Sequence, residues 1–285
     1  MSSYKHILLY NRIYNVNFFY HTLEPLLLIL LYPSLMILSY SEFFDKHKTK
    51  DFYKILPECM KSYNHQYTIG KNTNLNIKLD DNEGFHFCEF KQILIWINRL
   101  YDDPKYIARI KLLKSNYVEC INKYKTDEIF IEDIVLLDEF IMNNIHKLIK
   151  SSPDNAIDIL ITFACKYNNL LLLKFLHKEL DLTMDQFRMS HNFPLHTACE
   201  KNYIDIVKYL HKEVGLKVYD FTCLGNYMLR NCCYKGYLDL VKYLYEEVGV
   251  TKQDFISFGN SALKCAYTSK NLVLIEYIKN IVDVK

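Results

Sequence analysis

The stretch PLHTACEKNYIDIVKYLHKEVG, Pro194 to Gly215, returns 34 residues later as MLRNCCYKGYLDLVKYLYEEVG, Met228 to Gly249, with 12 of 22 positions identical. The same step carried both ways gives four copies without a gap. Val207 falls on Leu173, Val241 and Ile275, Tyr209 on Phe175, Tyr243 and Tyr277, and Leu195 on Ile161, Leu229 and Leu263. A second marker keeps the register, since DQF, YDF and QDF place Phe187, Phe221 and Phe255 at successive steps. A period of this size means one supersecondary unit that cannot bury its own apolar face, so copies stack and share a core. The C-terminal part is expected to be a mainly α solenoid of about four units, near 154–187, 188–221, 222–255 and 256–285.

The unit's shape follows from helical periodicity. Ile204, Val207, Leu210 and Val214 recur on one face while Asp205, Lys208, Lys212 and Glu213 fill the other, which predicts an amphipathic helix over about 204–214. Gly215 and Gly249 stand just past this helix, where a left-handed C-cap is cheapest for a residue without Cβ. Upstream, PLHTACEK predicts a shorter helix with Pro194 in its first turn, where a missing N–H costs nothing. Asn202 and Gly236 make the sharp turn between the two helices.

FPLHTACEKNYIDIVKYL resembles the ankyrin repeat, whose pattern runs TPLH, two small residues, a Gly turn and an IVKLL-type helix. The resemblance covers residues 155–285 and departs from the pattern in the outer copies, with ILIT at Ile159–Thr162 and SALK at Ser261–Lys264. It implies that His196 bonds the turn backbone, and that the stack is a non-catalytic scaffold presenting short-helix side chains to a partner protein. By alignment the exposed positions are Thr197, Glu200 and Lys201, then Asn231, Tyr234 and Lys235, then Cys265, Thr268 and Ser269. Tyr234 is the expected anchor, because aromatic side chains are enriched among binding hot spots. After each long helix the chain departs from the family, since Thr183-Met184-Asp185-Gln186 has the form of a capping box and predicts a short helix there. The three spaced phenylalanines would plug that turn onto the stack.

Net charge is +2, with acids and bases mixed throughout, so no basic stripe marks a nucleic-acid partner. Nine cysteines raise the question of disulfides or zinc. Cys165, Cys199 and Cys233 share one repeat column; packed helices lie about 8–10 Å apart, beyond the roughly 7 Å reach of a disulfide. The column reads as small apolar packing, and no CxxC pair occurs. No cofactor and no metal are expected, and free thiols in this number fit a reducing cytoplasm.

PLLLILLYPSLMILSYS, Pro25–Ser41, is 17 residues without a charge. As a helix it would span about 25 Å, marginal against a hydrocarbon core of about 30 Å, and Pro33 would kink it. Two readings stand: a membrane anchor at 25–41 within an N-terminal segment 1–50, with the lysine-rich C-terminal side in the cytosol, or a buried helix or mis-set start, with Met36 as alternative initiator. Between 51 and 135 the 34-residue period is absent. His65–Ile69, Phe85–Phe90 and Lys105–Leu113 read as short strands and Lys91–Leu100 as a helix, which predicts a small α+β module. A connecting helix near Leu136–Ile149 and a hinge at Ser151-Ser152-Pro153 complete a linker over 136–153.

His65-Gln66-Tyr67, Gly70 with Asn72, Gly84-Phe85-His86-Phe87 and Lys123–Asp127 resemble the N-terminal region of ankyrin proteins from giant DNA viruses of amoebae. That resemblance implies lineage and a cytoplasmic setting in a host cell, with a host or viral protein as partner, and implies no reaction. Ubiquitin-ligase adaptors among viral ankyrin proteins carry a C-terminal F-box, and the sequence ends at Lys285 directly after the last repeat helix. As an enzyme, the module could pair His65 with Cys59 or His86 with Cys88, with Asp80, Asp81 and Glu83 nearby. Alternation along one strand instead puts His86 and Cys88 on one face and Phe85 and Phe87 on the other.

Overall fold

The computed structural model describes residues 37–62, 65–74, 84–99, 104–120, 122–151 and 155–283. The upstream half is an antiparallel sheet whose strands alternate between two buried faces. In chain order the strands are β1 Ile37–Leu38, β2 Phe52–Pro57, β3 Lys61–Ser62, β4 His65–Gln66, β5 Gly70–Thr73, β6 Phe85–Glu89, β7 Pro104–Lys111, β8 Tyr117–Cys120, β9 Lys123–Thr126 and β10 Glu128–Leu136. Eight form one sheet in the order β1-β8-β9-β6-β2-β7-β10-β5, while β3 and β4 pair as a small ribbon. The three strand regions expected from sequence are present as β4, β6 and β7, and the helix after β6 runs from a 3-10 turn at Phe90–Gln92 into Ile93–Arg99.

Alternation separates two cores. Phe52, Phe85, Phe87, Ala108 and Ile110 point to one side with Phe43, Tyr67, Tyr117 and Ile129. Tyr53, Cys88 and Ile107 point to the other, toward Phe90, Ile93, Leu94 and Ile97. The first core is aromatic: Phe43 stacks on Tyr117 at 4.4 Å and meets Phe52 and Tyr124 at 5.8 and 5.1 Å. Phe43 belongs to a helix Tyr40–His47, capped by Ser39 with Glu42 in a reciprocal box. His47 bonds Glu119 at 2.7 Å, and Lys50 and Lys91 reach Glu89 at 3.0 and 3.3 Å. Burial alone would raise the Glu89 carboxyl, but hydrogen bonds from Tyr124, Lys50 and Lys91 overcome it and hold the group at about 2.

This corrects the boundary drawn at residue 50. Residues 37–50 are part of the sheet module, because Phe43 and Leu38 complete its core and β1 pairs with β8. The C-terminal five residues of the apolar segment at 25–41 are thus occupied by strand, cap and helix start, while residues 25–36 lie outside the described residues. Among the described residues no helix is long and apolar enough to cross a membrane.

The helix expected as a connector, Leu137–Ser151, is instead a packing element. Its buried stripe of Leu137, Ile141, Ile145 and Leu148 joins a core that runs without a break from Tyr53 through the repeats to Ile281. The helix Ile93–Arg99 packs on the first repeat helix as well. Of the expected hinge, Ser151 is the last residue of that helix, and Ser152 and Pro153 lie outside the described residues.

Four helix pairs follow: Ala156–Lys166 with Leu170–Glu179, Met189–Glu200 with Ile204–Lys212, Val218–Lys235 with Leu238–Val248, and Lys252–Ser269 with Leu272–Asp283. The turn within each pair is left-handed at Asn168, Asn202, Gly236 and Lys270, with φ of 54°, 59°, 79° and 60°. Lys270 accepts this geometry without the glycine that the third copy supplies. Gly215 and Gly249 close their long helices at φ 87° and 90°, where the sequence placed them.

The segment between pairs is helical, and the capping residues recur at the 34-residue step. Thr183 N–H donates to Gln186 Oε1 at 2.7 Å, Lys217 N–H to Asp220 Oδ2 at 2.8 Å, and Thr251 N–H to Asp254 Oδ2 at 2.8 Å. Only the first of these boxes was legible as a motif, because Lys217 has no capping hydroxyl and aspartate replaces glutamine in the later copies. Phe187, Phe221 and Phe255 are all fully buried beside them. Within Val218–Lys235 and Lys252–Ser269 the chain passes through three consecutive left-handed residues, Leu224-Gly225-Asn226 and Phe258-Gly259-Asn260, which re-aim the inner helix. In the second copy His191 and Asn192 do the same, so Pro194 falls in the first turn of the helix that resumes there.

Copies are stitched by side chains that repeat with them. His177 Nδ1 bonds the Tyr209 hydroxyl at 2.8 Å and His211 Nδ1 bonds Tyr243 at 2.8 Å. Each ring also meets the plug of its own copy edge-on, His177 on Phe187 and His211 on Phe221. Lys174, Lys208 and Lys242 lie 5.7, 5.6 and 5.5 Å from the ring centres of Tyr209, Tyr243 and Tyr277. The plug makes a direct test. Phe221→Ala should cost about 3–5 kcal/mol in urea unfolding of the full chain, whereas Tyr219→Ala, two residues away and exposed, should stay within about 0.5 kcal/mol. Equal effects would contradict the plug.

Candidate functional site

The inner helices present their accessible side chains in one row. Glu200, Tyr234 and Thr268 occupy equivalent positions of three successive copies and all three are exposed, Tyr234 with 53% of its surface open. Lys201 and Lys235 form the neighbouring exposed column. Lys201 is steered by rings, its ammonium 5.7 Å from the centre of Tyr167 and 5.8 Å from that of Tyr203. The structure thus brings five of the nine expected positions to the surface as adjacent columns.

The column Thr197, Asn231, Cys265 differs from expectation. Thr197 is buried, and its hydroxyl donates to the carbonyl of Phe193 at 2.9 Å. Asn231 and Cys265 are half-buried. Position 197 lies one helical turn before Glu200 on nearly the same face, so the two are separated by depth along the helix and not by phase. Ser269 is half-buried, with its hydroxyl given to the carbonyl of Ala266.

Two apolar residues escaped sequence reasoning. Leu224 and Phe258 head the left-handed turns at φ 56° and 52° and are exposed, Phe258 the more so, with the Arg230 guanidinium 5.6 Å from its ring centre. A bulky side chain in the left-handed region is strained, and such strain gathers at functional positions. The readable signal was LGN and FGN at the 34-residue step.

His196 departs from the role that the family pattern implies. Neither ring nitrogen has a hydrogen-bond partner, and the ring packs tilted against Tyr227 at 5.9 Å. Burial, with His191 adding to it, pushes its pKa down to about 4. Cys165, Cys199 and Cys233 are buried in their column, and all nine cysteines are free. Burial raises the thiols of Cys165 and Cys233, and Cys199 is raised by its hydrogen bond with Cys232 and by burial.

In the sheet module the expected face separation holds. Phe85 and Phe87 enter the aromatic core and Cys88 the other. Burial, reinforced by Lys123, Lys54 and Lys125, lowers His86 to about 3, and burial raises Cys88 to about 12. Both shifts favour the uncharged forms of the two side chains. His65 bonds Asn72 at 3.2 Å and meets Tyr67 and Phe85 edge-on, while the exposed Cys59 gives its Sγ–H to the carbonyl of Lys61. The motif residues His65, Tyr67, Asn72, Phe85 and Lys123–Thr126 are gathered in this one region, because β6 pairs with β9 and Lys54 spans both sides, donating to the carbonyl of His86 at 2.9 Å with its charge 4.8 Å from the centre of Tyr67. Burial lowers Lys54 to about 8. Asp80, Asp81 and Glu83 lie outside the described residues.

The left-handed turn between paired helices, the buried small-residue column and the inner row recur together over the same stretch that a family model matches, described as ankyrin repeats (3 copies), residues 160–255. Residues 160–255 are ankyrin repeats. A search of the curated proteins found no match, and a search of the solved structures found none. Ankyrin repeats are in general protein–protein interaction modules and are typically non-catalytic. The helices Lys252–Ser269 and Leu272–Asp283 form a fourth pair, which lies beyond the matched residues except for its start at 252–255.

His196 gives the repeats a pH signature. Its folded pKa lies below the ordinary 6.5, so the unfolded chain binds the proton more readily, and its contribution is complete above pH 6.5 and lost as pH falls toward 4. Lowering the pH from 7.5 to 5 should therefore remove about 2 kcal/mol through this residue. A His196→Leu variant should show a correspondingly smaller loss in denaturant titrations at the two pH values; an unchanged pH dependence would count against a neutral, buried imidazole.

Proposed function

We propose that the protein is a non-catalytic scaffold whose ankyrin repeats hold a protein partner on the inner-helix row. The observation that carries this reading is Tyr234, an exposed aromatic ring at the centre of a row with Glu200 on one side and Thr268 on the other. A two-torsion aromatic side chain on a rigid helix loses little entropy on docking and offers both apolar area and a hydroxyl. Lys201 and Lys235 flank it with charge, and Leu224 and Phe258 extend the apolar surface beyond the helix starts. Nine free cysteines support a reducing setting. With the sequence likeness to ankyrin proteins of giant DNA viruses, this favours the cytoplasm of a host cell as the place of action and a host or viral protein as the partner.

The test is comparative capture. Full-length protein and the Tyr234→Ala/Lys235→Ala variant are exposed to host cytosol, and bound proteins are quantified. The wild type should retain specific partners that the variant loses by at least about tenfold, the scale of a 1.4 kcal/mol anchor. Identical recovery by both would remove this face from the binding site.

A further inference from the structure

The outer helices carry a second feature that the inner row does not use. Between Leu170–Glu179 and Ile204–Lys212 runs an open groove of about 440 Å³, lined among others by Lys174, Lys178, Lys208 and Lys212. Its carboxylates, Asp205 and Glu213, stand at opposite ends of the second helix, so the middle is basic. These cations are poorly neutralised. Lys174 and Lys208 rest against tyrosine rings, Lys212 reaches Glu247 at 3.2 Å across exposed surface, and Lys178 is exposed with no ion-pair partner among the described residues.

Repeat packing does not require this charge. At the next interface the same four positions read Lys208, Lys212, Lys242 and Glu246, and at the last Lys242, Glu246, Glu276 and Asn280. The lysine-on-tyrosine contact is kept at all three interfaces, whereas the position of Lys178 becomes lysine, then glutamate, then asparagine. The all-lysine groove is therefore confined to the first interface, and the charge thins along the stack to three lysines and then one, so the fold does not require it.

We propose that this groove binds an extended acidic segment of a protein, separately from the inner row. Lysines four apart on a helix are about 6 Å apart along its axis, and side chains two apart on an extended chain are about 6.6–6.8 Å apart on one face. Acidic residues at alternate positions thus meet Lys174 and Lys178 on one wall and Lys208 and Lys212 on the other, while Asp205 and Glu213 reject acid at the two ends. The ligand class is a short extended peptide with two or three alternating carboxylates and uncharged flanks.

The test uses the full chain and a labelled synthetic peptide with glutamate at three alternate positions, followed by fluorescence anisotropy at low and high salt. Binding should appear at low salt, weaken as screening rises, and fall at least about tenfold for Lys178→Glu/Lys212→Glu, with Tyr234→Ala unaffected. Unfolding midpoints are taken for every variant; if the double variant is unfolded, Lys178→Gln alone should still weaken binding about threefold. Equal binding of the glutamine version of the peptide, or of one with its three glutamates contiguous, would overturn the proposal. So would undiminished binding by the charge-reversed variant. Vesicles with 30% phosphatidylserine are the remaining arm: retention on them, lost with the same variant and unaccompanied by peptide binding, would assign the groove to a membrane surface and overturn the peptide reading.

Discussion

Everything above the level of single helices rests on unclosed apolar faces finding one another. An inner and outer helix cannot bury their shared stripe alone, and a sheet with two apolar faces needs a cover on each. Here the helix Tyr40–His47 covers one face of the sheet, and the helices Ile93–Arg99 and Leu137–Ser151 cover the other. Those two helices are in turn covered by the first repeat. The result is one buried core from Tyr53 to Ile281 in which β-strand residues and solenoid residues are members of the same cluster.

Along the solenoid, specificity comes from polar and aromatic groups layered over that core. The His177–Tyr209 and His211–Tyr243 bonds fix each copy's rotation on the next, because both partners sit on helices and neither can reach a copy out of register. The contact between the third and fourth copies breaks the pattern chemically but keeps its place: Tyr245 of the third copy replaces the histidine, and Tyr277 of the fourth gives its hydroxyl to Glu246 at 2.7 Å. At the helical turn between copies, Arg188 holds Asp220 through two bonds of 2.8 and 2.9 Å, and Asn226 reaches Asp254 at 3.1 Å. Asp220 is buried, and burial would raise its carboxyl, but Arg188, the Lys217 amide and Asn192 hold it low.

The repeats were legible because their signal is redundant, each column being written up to four times. Phe187, Phe221 and Phe255 could be assigned a buried role from spacing alone. The site was less legible, since residues at the same helical phase differ in exposure: Glu200 and Tyr234 face solvent, but Thr197, one turn before Glu200, is buried with its hydroxyl on the Phe193 carbonyl, and nothing in the repeat pattern warns of it. In the sheet module each strand is written once. Strands with strong alternation, such as Phe85–Glu89, were readable, whereas Phe52–Pro57 is buried on both faces with Lys54 in its middle, and Glu128–Leu136 is interrupted by Glu132 and Asp133, so neither spells a clean period of two. Phe43 was missed because a run of apolar residues upstream suggested a different boundary, and nothing local says that a helix starting at Tyr40 has a sheet to lie on.

The seam between sheet and solenoid has a consequence for how such a chain can be divided. Leu148, Ile145 and Ile141 face the first repeat pair, and Ile93, Leu94 and Ile97 stand beside them. A cut at the short joint before Asn155 would therefore open two matching oily surfaces, one on each product, much as if a subunit interface had been split. Neither half is a portable cassette. Grafting these repeats onto another protein, or this sheet onto another stack, would demand a complementary wall at the graft, so the two parts are expected to change together or be inherited together as a single mechanical piece.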